Sequence, residues 1–79
     1  MKAKAHVLKR ITRMELGNFG DHKSVGGNVS EVRIDYGPGY RIYYTNIKGT
    51  IILLLIGGDK SSQKKDIEKA KGLVKEYEV

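Results

Sequence analysis

Arg33, Arg41 and Tyr43 fall within Ser30-Glu-Val-Arg-Ile-Asp-Tyr-Gly-Pro-Gly-Tyr-Arg-Ile-Tyr-Tyr44, where two alternating runs flank a Gly-Pro-Gly turn. Alternation on both sides of a glycine-rich turn predicts a β-hairpin. Val32, Ile34 and Tyr36 on the first strand would share a core face with Tyr40, Ile42 and Tyr44 on the second. Pairing Tyr36 with Tyr40 across a three-residue loop sets Arg33 opposite Tyr43, Asp35 opposite Arg41 and Glu31 opposite Thr45 on the other face. Two guanidinium groups and a phenol on one face suit RNA, because guanidinium grips phosphate and a phenol stacks on a base. The plainer alternative is a row of cross-strand surface pairs worth ~0.2–1 kcal/mol each. On either view Tyr36, Tyr40 and Tyr44 are core candidates, and Tyr43 is the candidate functional ring.

A second candidate is Lys60 in Gly57-Gly58-Asp59-Lys60-Ser61-Ser62, which follows a strand and opens a helix. Backbone N–H groups and the helix dipole favour anions at such a place. The full phosphate-loop pattern GxxxxGK[ST] is missing, which argues against nucleotide hydrolysis. Lys60 is read either as facing a substrate phosphate or as a solvated lysine in a capped turn. His6 and His22 are the histidines, and no cysteine or carboxylate cluster stands at ligand spacing, so neither a metal nor another cofactor is expected. His6 reads as solvated in a basic helix; His22, in the glycine-rich loop, could approach a site, although a surface loop histidine is the commoner case.

The chain that must position these groups has 79 residues and no cysteine. That length makes one domain, residues 1–79, near the small end for burying a core unaided. Absence of cysteine excludes a disulfide framework and points to the cytoplasm. No run reaches the ~18–20 apolar residues of a membrane span. The basic N-terminus, with dispersed apolar residues and no small-residue cleavage site, does not read as a signal peptide. The formal net charge of +6 is concentrated early, where Lys2, Lys4, Lys9, Arg10, Arg13 and Lys23 meet only Glu15 and Asp21. An anionic partner, nucleic acid or an acidic protein, fits that balance; so does simple solubility.

Residues 2–16 are expected to be a helix, with Val7, Leu8, Ile11 and Met14 as its apolar stripe and Gly17 as its stop. Residues 17–29, rich in glycine, read as a loop pinned by Phe19 and Val25. After the hairpin, Thr50-Ile-Ile-Leu-Leu-Leu-Ile56 reads as a strand covered on both faces or by a partner. Ser61 or Ser62 would cap a final helix with Ile67, Ala70, Leu73, Val74 and Tyr77 as its core stripe. The expected fold is therefore α+β: a three-stranded antiparallel sheet flanked by an N-terminal and a C-terminal helix.

From about Leu16 to Ala70 the chain resembles the RelE/ParE/HigB superfamily of toxin–antitoxin modules, most nearly the addiction-module killer proteins. The matching stretches are Leu16-Gly-Asn-Phe-Gly-Asp-His-Lys23, the hairpin Ser30–Tyr44, Gly57-Gly-Asp-Lys-Ser-Ser-Gln63 and Asp66-Ile-Glu-Lys-Ala70. The resemblance implies a RelE-like fold and metal-independent cleavage of mRNA on the ribosome. In that reaction a ribose 2′-hydroxyl attacks the adjacent phosphate and leaves a cyclic phosphate. It further implies Arg41 as the sheet arginine that stabilises the transition state, Arg33 near the basic position of the preceding strand, and Lys60 in the basic turn. Tyr43, Lys23 and Arg13 would contact RNA. The implied partners are a cognate antitoxin and ribosome-bound mRNA. Members of the superfamily usually begin with a further strand and helix, so the resemblance also implies an open sheet edge for an antitoxin or a second copy to cover. No tyrosine aligns with the catalytic one in the last helix of RelE-type enzymes. Alternatives within the resemblance are a shortened, non-catalytic binder of antitoxin or nucleic acid and a ParE-like gyrase inhibitor.

Overall fold

A computed structural model describes residues 2–20, 22–37, 39–58 and 60–77, with side chains from residue 5 onward. Helix α1 (Lys2–Glu15) places Val7, Ile11 and Met14 against the sheet, at the spacing expected of one helical face. It ends in paired backbone bonds, Gly17 N–H to the Met14 carbonyl at 2.9 Å and Asn18 N–H to the Arg13 carbonyl at 2.9 Å. That double closure needs a residue at positive φ, and Gly17 supplies it at +87°. Leu8, expected in the apolar stripe, is exposed.

The sheet has four antiparallel strands in the order β1 (His22–Gly26), β2 (Val29–Ile34), β3 (Tyr40–Ile47) and β4 (Thr50–Gly57). The expected three strands are thus corrected to four. The extra one, β1, lies inside the stretch expected to be loop, and of its side chains only Val25 is even half-buried. Phe19 and Val25 do pin this region, but on opposite faces of the sheet.

The β2–β3 register also differs from expectation. Ile34 pairs with Tyr40, Arg33 with Arg41, Val32 with Ile42 and Glu31 with Tyr43. Tyr36 belongs to the connection, where its N–H bonds the Ile34 carbonyl and its carbonyl accepts from Gly39 N–H. Gly37 and Gly39 take positive φ there, which lengthens the connection. The slip is two residues, so every side chain keeps its face while its cross-strand partner changes.

The helices cover opposite faces. Val32, Ile34, Ile42 and Tyr44 pack with Val7 and Met14 on the α1 side, joined by the half-buried Tyr36 and Tyr40. Val29 and Tyr43 pack with Ala70 and Val74 of α2 (Gln63–Val74) on the other side. Ser62 stands at the α2 start, but its hydroxyl donates to the Asp66 carboxylate at 2.8 Å, and no side-chain cap bond forms. Tyr77, expected in the core, lies in a short 3-10 turn and is exposed. The β4 run is less covered than expected: it is an edge strand, and Leu53 and Ile56 remain exposed on the α1 side. No described helix is long and apolar enough to cross a membrane.

Candidate functional site

Strand alternation sends Glu31, Arg33, Arg41 and Tyr43 toward the α2 face of the sheet. At the end of that face where Arg33 meets Arg41, α2 does not close over the strands. A cleft of about 310 Å³ opens there, lined by His22, Lys23, Glu31, Arg33, Arg41, Lys60 and Gln63. Lys23 enters from β1, where it pairs with Glu31. Lys60 enters from the 3-10 turn that follows β4, and Gln63 from the first residue of α2.

Arg41 is recessed, with only 8% of its surface exposed. Its Nε lies 3.6 Å from Glu31 Oε1, an ion pair too long for a hydrogen bond. Gln63 Nε2 donates to the other oxygen, Glu31 Oε2, at 3.0 Å. The carboxylate is therefore held between β3 and α2, and it lowers the cost of burying the guanidinium. Arg41 Nε itself has no hydrogen-bond partner among the described residues. Around it the described lining carries three further cations, Lys23, Arg33 and Lys60, against the one carboxylate of Glu31. A recessed, partly unsatisfied guanidinium facing open space among cations is an arrangement for an anion, phosphate above all.

Of the residues singled out from the sequence, Arg33, Arg41, Lys60 and Lys23 are brought together in this cleft. Tyr43 is not. Its ring is completely buried beneath α2, so it cannot stack on a base. Its hydroxyl lies against the Glu31 carboxylate without a well-formed hydrogen bond among the described residues. Burial first, then the charges of Glu31 and Asp66, push its pKa up to about 12, with Arg41 opposing. Arg13 is also elsewhere: it stands on α1, in a separate cleft with His6, Lys9, Arg10, Ile34 and Asp35.

Sequence reasoning missed Glu31 and Gln63. Glu31 shares the alternation phase of Arg33, which was a usable signal; Gln63 lies beside Lys60 in sequence but carried none. His22 borders the cleft, yet its pairing with Val32 directs its ring toward the α1 side, near Phe19 at 5.4 Å between centroids. The described residues hold no group of histidines and carboxylates able to bind a metal.

Against known proteins, residues 1–75 match the family model described as phage derived protein Gp49-like (DUF891). The chain belongs to the Gp49-like family. That family is toxin-like and related to the addiction-module toxins. A Haemophilus influenzae protein, described as uncharacterized, is 53% identical over 76 residues, which cover 96% of this chain and 77% of that protein. No solved structure matches. In this Gp49-like chain the cleft is thus built by the start of β1, the hairpin and the turn after β4, three of the stretches that carry the resemblance to toxins.

Proposed function

We propose that this Gp49-like protein is the toxin of a toxin–antitoxin module of the RelE/ParE/HigB type, acting in the cytoplasm as a metal-independent mRNA endoribonuclease on the ribosome. The observation that carries the reading is the recessed Arg41 opposite Arg33, in one cleft with Lys23 and Lys60. Attack of a 2′-hydroxyl on the neighbouring phosphate builds a phosphorane whose extra negative charge needs fixed cations. Arg33 and Arg41 would clamp the non-bridging oxygens, and Lys23 and Lys60 add charge at the rim. Glu31 orients Arg41 and in this role is a positioning residue. A cognate antitoxin would inhibit by laying acidic side chains over the same cations.

One observation favours a second reading, binding without cleavage. Glu31 is engaged by Arg41 and Gln63, and the Tyr43 hydroxyl is buried, so neither group is open to exchange protons with a substrate. Primer extension on programmed ribosomes, with wild type and Arg41→Ala side by side, separates the two. Cuts that vanish in Arg41→Ala support the nuclease. Absence of cuts from folded wild-type protein makes it a binder of antitoxin or nucleic acid. Growth arrest with intact mRNA and damaged DNA would instead indicate gyrase inhibition.

A further inference from the structure

Donors from two elements converge on the Glu31 carboxylate. Tyr43 stands directly opposite it across β2 and β3, and Arg41 is the next side chain on that face of β3. Gln63 reaches it from the first residue of α2. These donors are not served equally. Gln63 Nε2 donates to Oε2 at 3.0 Å, a full hydrogen bond. Arg41 Nε stays 3.6 Å from Oε1, and the Tyr43 hydroxyl lies against the carboxylate without a well-formed bond. Both of the underserved donors are buried, where an unmade bond is costly.

An ionised carboxylate offers about four acceptor sites, so a lack of lone pairs does not explain the shortfall. Position explains it. Gln63 holds one oxygen toward α2, and the other is thereby kept off Arg41. Closing from 3.6 Å to the ~2.8 Å of a charge-assisted bond needs a shift of under about 1 Å. The seat of α2 in turn fixes Gln63. Ser62 Oγ donates to Asp66 Oδ2 at 2.8 Å across the first turn, and Gly57 leaves Asp66 and Tyr43 the room a Cβ would take. A guanidinium closed onto a carboxylate is neutralised and spends its donor fork there. One held off keeps charge and donors for a ligand.

We propose that Gln63 is a positioning residue for Arg41: it draws Glu31 toward α2, stops the carboxylate closing on the guanidinium, and so leaves Arg41 available to an anionic ligand in the cleft. This rests on the cleft being an anion site, as the proposed function requires. There the added charge of the phosphorane would meet an arginine not already neutralised. The competing account makes Gln63 a brace that only ties α2 to the sheet. A brace lowers stability when it is removed and leaves Arg41 as it was.

The test uses the full chain, inorganic phosphate as the probe, and Gln63→Met, which keeps the side-chain length and removes the donor. Arg41 Nε–H is followed by proton–nitrogen correlation NMR, its signal assigned by its loss in Arg41→Gln. In Gln63→Met that signal should move downfield and exchange more slowly with water, as Glu31 closes on it. Phosphate affinity should fall about tenfold, the scale of one charge-assisted hydrogen bond. The urea midpoint should hold or rise, because buried donors gain a partner. In a Glu31→Gln background Gln63→Met should change neither signal nor affinity, since the effect passes through the carboxylate. An unmoved Arg41 signal with a lower urea midpoint would make Gln63 a brace and overturn the inference. So would a moved signal with unchanged phosphate affinity, provided wild-type binding depends on Arg41. If wild type shows no saturable phosphate binding and Arg41→Gln loses nothing, the anion reading of the cleft falls and the inference with it.

Discussion

Arg33 faces Arg41 directly across β2 and β3, so two like charges stand at one rung of the ladder. Such a rung is unfavourable unless anions lie close. Glu31 supplies one to Arg41 at 3.6 Å, and an anionic ligand in the cleft would add to it. Phosphate or sulfate should therefore raise the melting temperature in a saturable way. At a hundredfold excess over Kd the gain is about 2.7 kcal/mol. Thermal melts with and without phosphate, at constant ionic strength, should show the effect in wild type and lose most of it in Arg41→Gln. Equal shifts in both proteins would mean the arginine rung does not bind anions.

Glu31 sits between Arg41 and Gln63, so its removal strands a buried cation. Glu31→Ala should cost about 3 kcal/mol in urea unfolding, in the range for one half of a buried pair. Glu31→Gln keeps a hydrogen-bonding oxygen and should cost less. If the carboxylate orients Arg41, both variants should also lose the phosphate-dependent stabilisation. A folded Glu31→Gln that still responds fully to phosphate would show that Arg41 needs no such support.

Tyr43 holds its proton more tightly folded than unfolded. Its folded pKa of about 12 stands above the ordinary value of 10.0. The unfolded chain therefore releases this proton first as pH rises, and stability present below pH 10 is lost on the way to pH 12. The full effect is about 3 kcal/mol, at 1.36 kcal/mol per unit. Tyr43→Phe should remove that part of the alkaline loss, leaving the contribution of Tyr44, also raised by burial. At neutral pH the same variant deletes a buried hydroxyl that has only a marginal contact with the Glu31 carboxylate, so it should change stability by no more than about 1 kcal/mol. Urea titrations of both proteins from pH 8 to about 12 measure the difference. Parallel curves across that range would place the hydroxyl in contact with solvent.

What the sequence disclosed follows from which signals are local. Val7, Ile11 and Met14 at helical spacing, with Gly17 beyond them, are enough to define α1 and its end. Parity along the hairpin placed Arg33 and Arg41 on one face even though the register was wrong by two, because a slip of two preserves parity. β1 was hidden because His-Lys-Ser-Val-Gly has no alternation of apolar residues; β2 makes it a strand by pairing with it. Tyr43 was misread because it shares the phase of the arginines. Only α2, folding back over one end of that face and leaving the other open, separates a core ring from a cleft.

Gly57 marks how closely α2 is seated on the sheet. It is buried, and a Cβ there would stand 2.7 Å from Asp66 Oδ2 and 2.9 Å from Tyr43 Cε2. Neither neighbour can retreat freely: Asp66 accepts a hydrogen bond from Ser62, and Tyr43 is packed on all sides. Gly57→Ala should therefore cost about 1–3 kcal/mol as overpacking, although the backbone itself tolerates alanine. The relief available is outward movement of the first turn of α2, which carries Gln63 away from Glu31 and widens the cleft. The expected signature is a lower urea midpoint together with weaker stabilisation by phosphate. A Gly57→Ala protein with wild-type stability and wild-type phosphate response would show that α2 is less closely seated than these distances require.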